Sequence, residues 1–128
     1  MEAPSELISA VTIAKRVAEL GAQIDQDMPP GPLTVVGVLR GAFVFMADLV
    51  RVIPRPMTCD FLAVRRYGNS ILSSGVVEIT SDLGTSITDR HVLLIEDIAD
   101  TGLTLKYLLD VLSTRGPATL RTCALLSK

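Results

Sequence analysis

The stretch Leu93–Leu105, LLIEDIADTGLTL, says more about this chain than any other. Its apolar head, joined to His91 and Val92, reads as a fully buried strand, because it is short, continuous and shows no alternation. Such a strand delivers Glu96 and Asp97 to the carboxyl edge of a sheet. The turn that follows holds Asp100, Thr101, Gly102 and Thr104, and then a helix begins. Unpaired backbone N–H groups and the positive end of the helix dipole make that turn suited to a phosphate monoester. Gly102 permits close approach of the backbone, and the Thr101 and Thr104 hydroxyls can donate to phosphate oxygens. Two carboxylates beside such a nest make sense if the ligand is a phosphosugar, with its phosphate in the turn and its hydroxyls on Glu96 and Asp97. The same carboxylates can help to hold Mg²⁺. A plain strand–loop–helix junction capped by Asp and Thr is the alternative reading of these residues.

Working outward, Val11–Ile24 has Ile13, Val17, Leu20 and Ile24 on one stripe at helical spacing, and Met28-Pro29-Pro30-Gly31-Pro32 ends that helix. Leu33–Leu39 (LTVVGVL) reads as a buried strand. A helix begins near Gly41, carries Phe45, Met46, Leu49, Val50 and Ile53, and stops at Pro54 and Pro56. Cys59–Val64 is the next strand, Arg65–Gly75 (RRYGNSILSSG) a long polar loop, and Val76–Thr80 a short strand. A turn-rich connection, Ser81–Arg90, precedes the His91–Ile95 strand. A helix from about Thr101 then runs to Gly116-Pro117, and Leu120–Leu126 is the last strand. Apolar strands alternating with amphipathic helices predict an α/β fold, a mostly parallel sheet flanked by helices. Ligands of such sheets sit outside the carboxyl ends of the strands, so the places to look follow Leu39, Val64, Ile95 and Leu126.

Length and composition narrow the reading. A chain of 128 residues, 48% hydrophobic and 20% charged, makes one domain over residues 1–128. There are no internal repeats or linkers. With three Phe, two Tyr and no Trp, the core rests on Leu, Ile, Val and Ala. A net charge of -2 argues against nucleic acid as a partner. Charges such as Lys15, Arg40, Asp48 and Arg51 interrupt every apolar run long enough for a membrane span, and MEAPSEL lacks the basic start of a signal peptide. Cys59 and Cys123 lie in strand-like stretches without metal-ligand spacing, and read as buried, reduced thiols of a cytoplasmic protein.

Taken together, the strand, its two acids, two spacers and the acid-Thr-Gly-x-Thr turn resemble the phosphoribosyl-diphosphate (PRPP) signature of type I phosphoribosyltransferases. EDIADTGLT is similar to the branch that acts on 6-oxopurines, closest to bacterial-type hypoxanthine(-guanine) enzymes. The resemblance extends to Gly37–Val50, which is similar to the pyrophosphate loop and its following helix, and to Asp60–Gly75, similar to the mobile loop of hypoxanthine-type enzymes. It implies Mg²⁺-dependent transfer of a 5-phosphoribosyl group from PRPP to N9 of hypoxanthine or guanine, giving IMP or GMP and pyrophosphate. It also implies a homodimer or homotetramer. A non-catalytic PRPP- or nucleotide-binding core, or a regulator on the same fold such as the RNA-binding pyrimidine-operon regulators, is the competing expectation.

Carried over position by position, the resemblance makes Asp100 the general base near N7 of the purine. A purely structural role, tying the turn through backbone N–H bonds, remains open for it. Thr101, Gly102, Leu103 and Thr104 would bind the 5-phosphate. Glu96 and Asp97 would meet the ribose hydroxyls directly or through Mg²⁺. Leu39, Arg40 and Gly41 correspond to the pyrophosphate-binding turn, with a non-proline cis peptide expected between Leu39 and Arg40; a surface Arg starting a helix is the other reading of Arg40. Tyr67 and Gly68 belong to the closing loop, where Arg66 stands at a position commonly held by Ser. Lys128 matches the lysine that contacts the 6-oxo group. In the family a further segment supplies an aromatic that stacks on the purine, a Mg²⁺-binding carboxylate and a basic residue for pyrophosphate. The PRPP half of the site is therefore expected here in fuller form than the purine half.

Overall fold

A computed structural model describes residues 10–66, 77–99 and 103–127. The elements in order are α1 (Ala10–Asp27), β1 (Leu33–Leu39), α2 (Phe43–Val50), β2 (Met57–Arg66), β3 (Val77–Ser81), β4 (His91–Ala99), α3 (Leu103–Ser113) and β5 (Thr119–Ser127). The strands form one sheet in the order β3-β2-β1-β4-β5. β1 pairs in parallel with both β2 and β4, and β4 in parallel with β5, whereas β3 runs antiparallel to β2.

The β1 segment explains the rest of the layout. Its first six residues are buried, as a strand covered on both faces requires. Alternate side chains serve two cores. Leu33 and Val35 join Leu93 and Ile95 beneath α1 and α2, with Val17, Leu20, Ile24, Phe45, Met46 and Leu49 above them. Val36 and Val38 join Val92 and Leu94 on the other face, beneath Leu108 and Leu112 of α3. The chain therefore leaves β1 through α2 on one face to build β2, and later leaves β4 through α3 on the opposite face to build β5. Right-handed crossovers from adjacent parallel strands in opposite directions put the helices on opposite faces.

Three polar clusters hold the connections. No basic residue stands in the last turn of α1, but Arg55, from the approach to β2, supplies a cation at that end. Its Nε donates to Asp25 Oδ1 (2.9 Å), and its other nitrogens donate to the carbonyls of Asp25, Pro29 and Gly31. Helix-end carbonyls without intrahelical partners are satisfied this way. Asp60 on β2 gathers the 82–86 turn: its Oδ2 accepts from Gly84 N–H (2.9 Å), Thr85 N–H (3.1 Å) and Thr85 Oγ1 (3.1 Å), and its Oδ1 from Phe61 N–H (2.8 Å). Arg115, after α3, makes a two-pronged pair with Asp82, both contacts 2.8 Å.

The expected elements all occur, with shifted ends. α1 continues to Asp27, α2 is confined to Phe43–Val50 and α3 starts at Leu103. β4 extends through Ala99, so Glu96 and Asp97 lie within the strand instead of beyond it. Arg65 and Arg66, expected in the loop, are strand residues paired with Glu78 and Val77, because the β2–β3 hairpin carries the ladder outward. The remainder of that loop, residues 67–75, lies outside the described residues, as does Val76, expected to open the next strand. Both cysteines are free, as expected, but Cys59 is exposed and Cys123 only partly buried.

Burial alone would raise the Asp60 pKa, yet the hydrogen bonds from Phe61, Thr85 and Gly84 bring it below the ordinary 3.8. A depressed native pKa contributes stability that is complete above the ordinary value and is lost as the pH falls through the native one. Asp60→Asn is expected to lower the urea midpoint at neutral pH and to flatten its decline below 3.8, which urea melts at a series of pH values will measure. Leu108 is fully buried against the sheet, and Leu108→Ala is expected to cost about 2–5 kcal/mol in the same measurement.

Candidate functional site

Sheet topology locates the crevice. β1 and β4 are sequence-distant neighbours in register from Thr34↔Val92 to Gly37↔Ile95, and the chain departs from them to opposite sides. This is the switch point of a doubly wound sheet, where connections diverge and leave an opening beyond the carboxyl ends. Two residues beyond Gly37 the chain reaches Leu39, and two beyond Ile95 it reaches Asp97. Adjacent strands lie about 4.8 Å apart, so the 39–41 turn and the Glu96–Ala99 end of β4 emerge side by side.

On the β1 side the Leu39–Arg40 peptide is cis. Leu39 is half-buried, whereas Arg40 and Gly41 are exposed. Ala42 N–H donates to Val38 O (3.2 Å) and Phe43 N–H to Arg40 O (3.2 Å), folding the chain tightly from strand into helix. Arg40 makes no ion pair among the described residues.

On the β4 side Glu96 is half-buried and Thr104, in the first turn of α3, is 5% exposed. That first turn bears no acidic side chain, so its own residues leave the positive end of the helix dipole available to an anion. Glu96, Thr104, Leu39, Arg40 and Gly41 are thus gathered by the fold at one sheet edge. Tyr67, Gly68, Asp100, Thr101, Gly102 and Lys128 lie outside the described residues, as do the side chains of Asp97 and Leu103. The described residues contain no group of three or more His, Cys, Asp or Glu able to hold a metal ion. A hard carboxylate such as Glu96 fits Mg²⁺ in its usual mode, in which one or two protein carboxylates share the ion with substrate oxygens and water. No helix among the described residues is long and apolar enough to cross a membrane.

A cavity of about 260 Å³ lies elsewhere, between α1 and the β4–β5 face, with Leu20, Ile24 and Leu93 among its walls and Arg121 and Cys123 beside them. It opens on the helical face instead of the carboxyl edge, and the switch-point geometry is the stronger guide to chemistry. One residue behind the crevice was not singled out in the sequence. Gly37 interrupts a β-branched strand, and a strand-interior glycine is a recognised sign of close backbone approach; Met46 of α2 rests on it.

Comparison with known proteins supplies the family. Residues 5–128 match the family model for the phosphoribosyl transferase domain. The chain is 50% identical over 120 residues to a hypoxanthine-guanine phosphoribosyltransferase of Dictyostelium discoideum, covering 91% of this chain and 67% of the relative. It is 46% identical over 130 residues to the enzyme of the same name from Mycobacterium avium, covering 97% of this chain and 64% of the relative. It thus spans about two thirds of the length of these relatives. Among solved structures, a Bacillus anthracis hypoxanthine-guanine phosphoribosyltransferase superposes with a TM-score of 0.89 at 40% identity, over 94% of this chain and 72% of that one. A Trypanosoma cruzi hypoxanthine phosphoribosyltransferase complexed with the product IMP gives 0.85 at 39%, over 94% and 66%. Sequence identity of this order along nearly the whole chain, on the same doubly wound sheet, means that the chain belongs to the phosphoribosyl transferase domain family.

Proposed function

We propose that this chain serves purine salvage, transferring the 5-phosphoribosyl group of PRPP to N9 of hypoxanthine or guanine to give IMP or GMP and pyrophosphate. The observation that carries the reading is the pairing of β1 with β4 at the switch point, which brings the Leu39–Gly41 turn beside the carboxyl end of β4, ahead of α3. One can take a pyrophosphate and the other a sugar phosphate, which are the two ends of PRPP. The names of the relatives supply the acceptor base.

In this reading the backbone N–H groups of Thr101, Gly102, Leu103 and Thr104 hold the 5-phosphate at the N-terminus of α3, helped by the threonine hydroxyls. Glu96 and Asp97 accept hydrogen bonds from the ribose hydroxyls and, with substrate oxygens, hold Mg²⁺. When bound there, Mg²⁺ would offset the negative charge that collects on the departing pyrophosphate. The N–H groups of the Leu39–Arg40–Gly41 turn and the Arg40 guanidinium bind the pyrophosphate. As the bond from C1′ to pyrophosphate breaks, N9 of the base bonds to C1′. Asp100 accepts the proton released at N7. Tyr67 and Gly68 close over the reacting centre and exclude water, and Lys128 donates to the 6-oxo group. The setting is cytoplasmic and the assembly a homodimer or homotetramer. The outer face of α2 supports self-association: Asp48 is the helix's only polar side chain, and Phe43 (58%) and Val44 (66%) stand exposed. A helix apolar on all sides is ordinarily covered.

The decisive assay offers PRPP and Mg²⁺ with hypoxanthine, guanine, xanthine, adenine and uracil in turn. Nucleotide is expected from hypoxanthine or guanine, and Asp100→Asn is expected to slow its formation by about 10²–10⁴-fold, the usual worth of a positioned base. Absence of product from every base overturns the enzymatic reading. Stabilisation by PRPP in the same sample would then identify a silent binding core.

A further inference from the structure

We propose that Gly37 is a positioning residue for the pyrophosphate-binding turn: its missing side chain lets Met46 sit on the β1 backbone and so determines where residues 39–41 lie. The inference rests on the reading of that turn as a pyrophosphate site. A Cβ built on Gly37 would stand 2.4 Å from Met46 Sδ and 3.4 Å from the Phe61 ring. Met46 is 3% exposed and enclosed by the core beneath α2.

Residues 37–46 consequently close into a ring. The side chain of Met46 rests on Gly37, Met46 N–H donates to Ala42 O (2.8 Å), and Ala42 N–H donates to Val38 O (3.2 Å). The whole 39–41 turn is enclosed by these contacts. A second glycine pins the far end of α2. A Cβ on Gly21 of α1 would lie 2.5 Å from Val52 Cγ2 and 3.3 Å from Val52 O. With Met46 in the middle of α2 and Val52 just beyond its end both seated on residues that lack side chains, α2 has little freedom to slide. An alanine at position 37 must move the Met46 sulfur by about 1 Å to reach the 3.4 Å of an ordinary contact; because Met46 is enclosed by the core, a shift that its side chain does not take up passes through the Met46–Ala42 and Ala42–Val38 hydrogen bonds to the turn. Misplacement of that size at a binding constellation is worth about 10²-fold.

The test is calorimetric titration with inorganic pyrophosphate and Mg²⁺, run well below each variant's melting temperature with the fold checked by circular dichroism. Gly37→Ala is expected to bind at least about tenfold more weakly than wild type. The double variant Gly37→Ala/Met46→Val, which removes the overlapping sulfur, is expected to recover to within about threefold. Ile87→Val, in the core on the opposite face of the sheet, controls for destabilisation alone and is expected to bind as wild type. Unchanged affinity in a folded Gly37→Ala protein overturns the inference, as does a folded double variant that stays weak. If Gly37→Ala is unfolded, the double variant decides: wild-type affinity supports the role of the overlap, and weak binding or an unfolded chain overturns it. Failure of wild type to bind pyrophosphate overturns the assignment of the turn itself, a result distinguishable from the others because it appears before any substitution is made.

Discussion

The parallel pairing of β1 with β4, from Thr34↔Val92 to Gly37↔Ile95, is the contact on which the remaining architecture depends. These strands are far apart in sequence, so their pairing closes a long loop and costs chain entropy before any packing rewards it. What offsets the cost is burial on both faces. Val35, Val36, Leu93, Leu94 and Ile95 are essentially inaccessible to solvent, each fully buried side chain contributing roughly 1.5–3 kcal/mol. Because the pleat sends alternate residues to opposite faces, one pair of strands supplies both cores. A shift of one residue in register would exchange the two sets and misalign the carboxyl ends that carry the candidate site.

The polar clusters have a different task. Arg55 at the end of α1, Asp60 beneath the 82–86 turn and the Arg115–Asp82 pair each join segments distant in sequence. Exposed ion pairs are worth little individually, and Asp82 is half-exposed. Arg55 is otherwise situated: its side chain is 10% exposed and its donors satisfy carbonyls that a helix end leaves unpaired. These contacts choose among loop conformations more than they hold the domain folded. The Asp60 cluster also determines how the chain returns from β3 to β4. Ile87, buried to 1%, enters the core immediately after that turn.

Periodicity and turn residues made every described element legible, since an apolar strand such as LTVVGVL and a stripe such as Ile13, Val17, Leu20 and Ile24 are local signals. Ends were less legible. β4 runs through Glu96 and Asp97 because β5 continues alongside it, with Glu96↔Ala124 in register, and a strand's length is set by its neighbour as much as by its own residues. Arg65 and Arg66 looked like loop by polarity, yet their partners across the hairpin made them strand. The exposure of Cys59 is a tertiary outcome that its apolar local sequence does not contain.

The residue types of the candidate site belonged to the sequence alone. The acids of Leu93–Leu105, with the threonines and glycine of the turn before a helix, were readable one after another because they are contiguous. Only the tertiary structure decided what stands opposite them. The Leu39–Gly41 turn is some fifty residues away in the chain, and it lies beside the carboxyl end of β4 because β4 returns to the free side of β1 after β2 and β3 have gone outward. Likewise, Gly37 acquires meaning from Met46, which settles on it when α2 packs against the sheet. Hydrogen-bonding and steric preferences within a few residues are written in local order. Which surfaces come together is settled by the joint burial of two cores on one sheet.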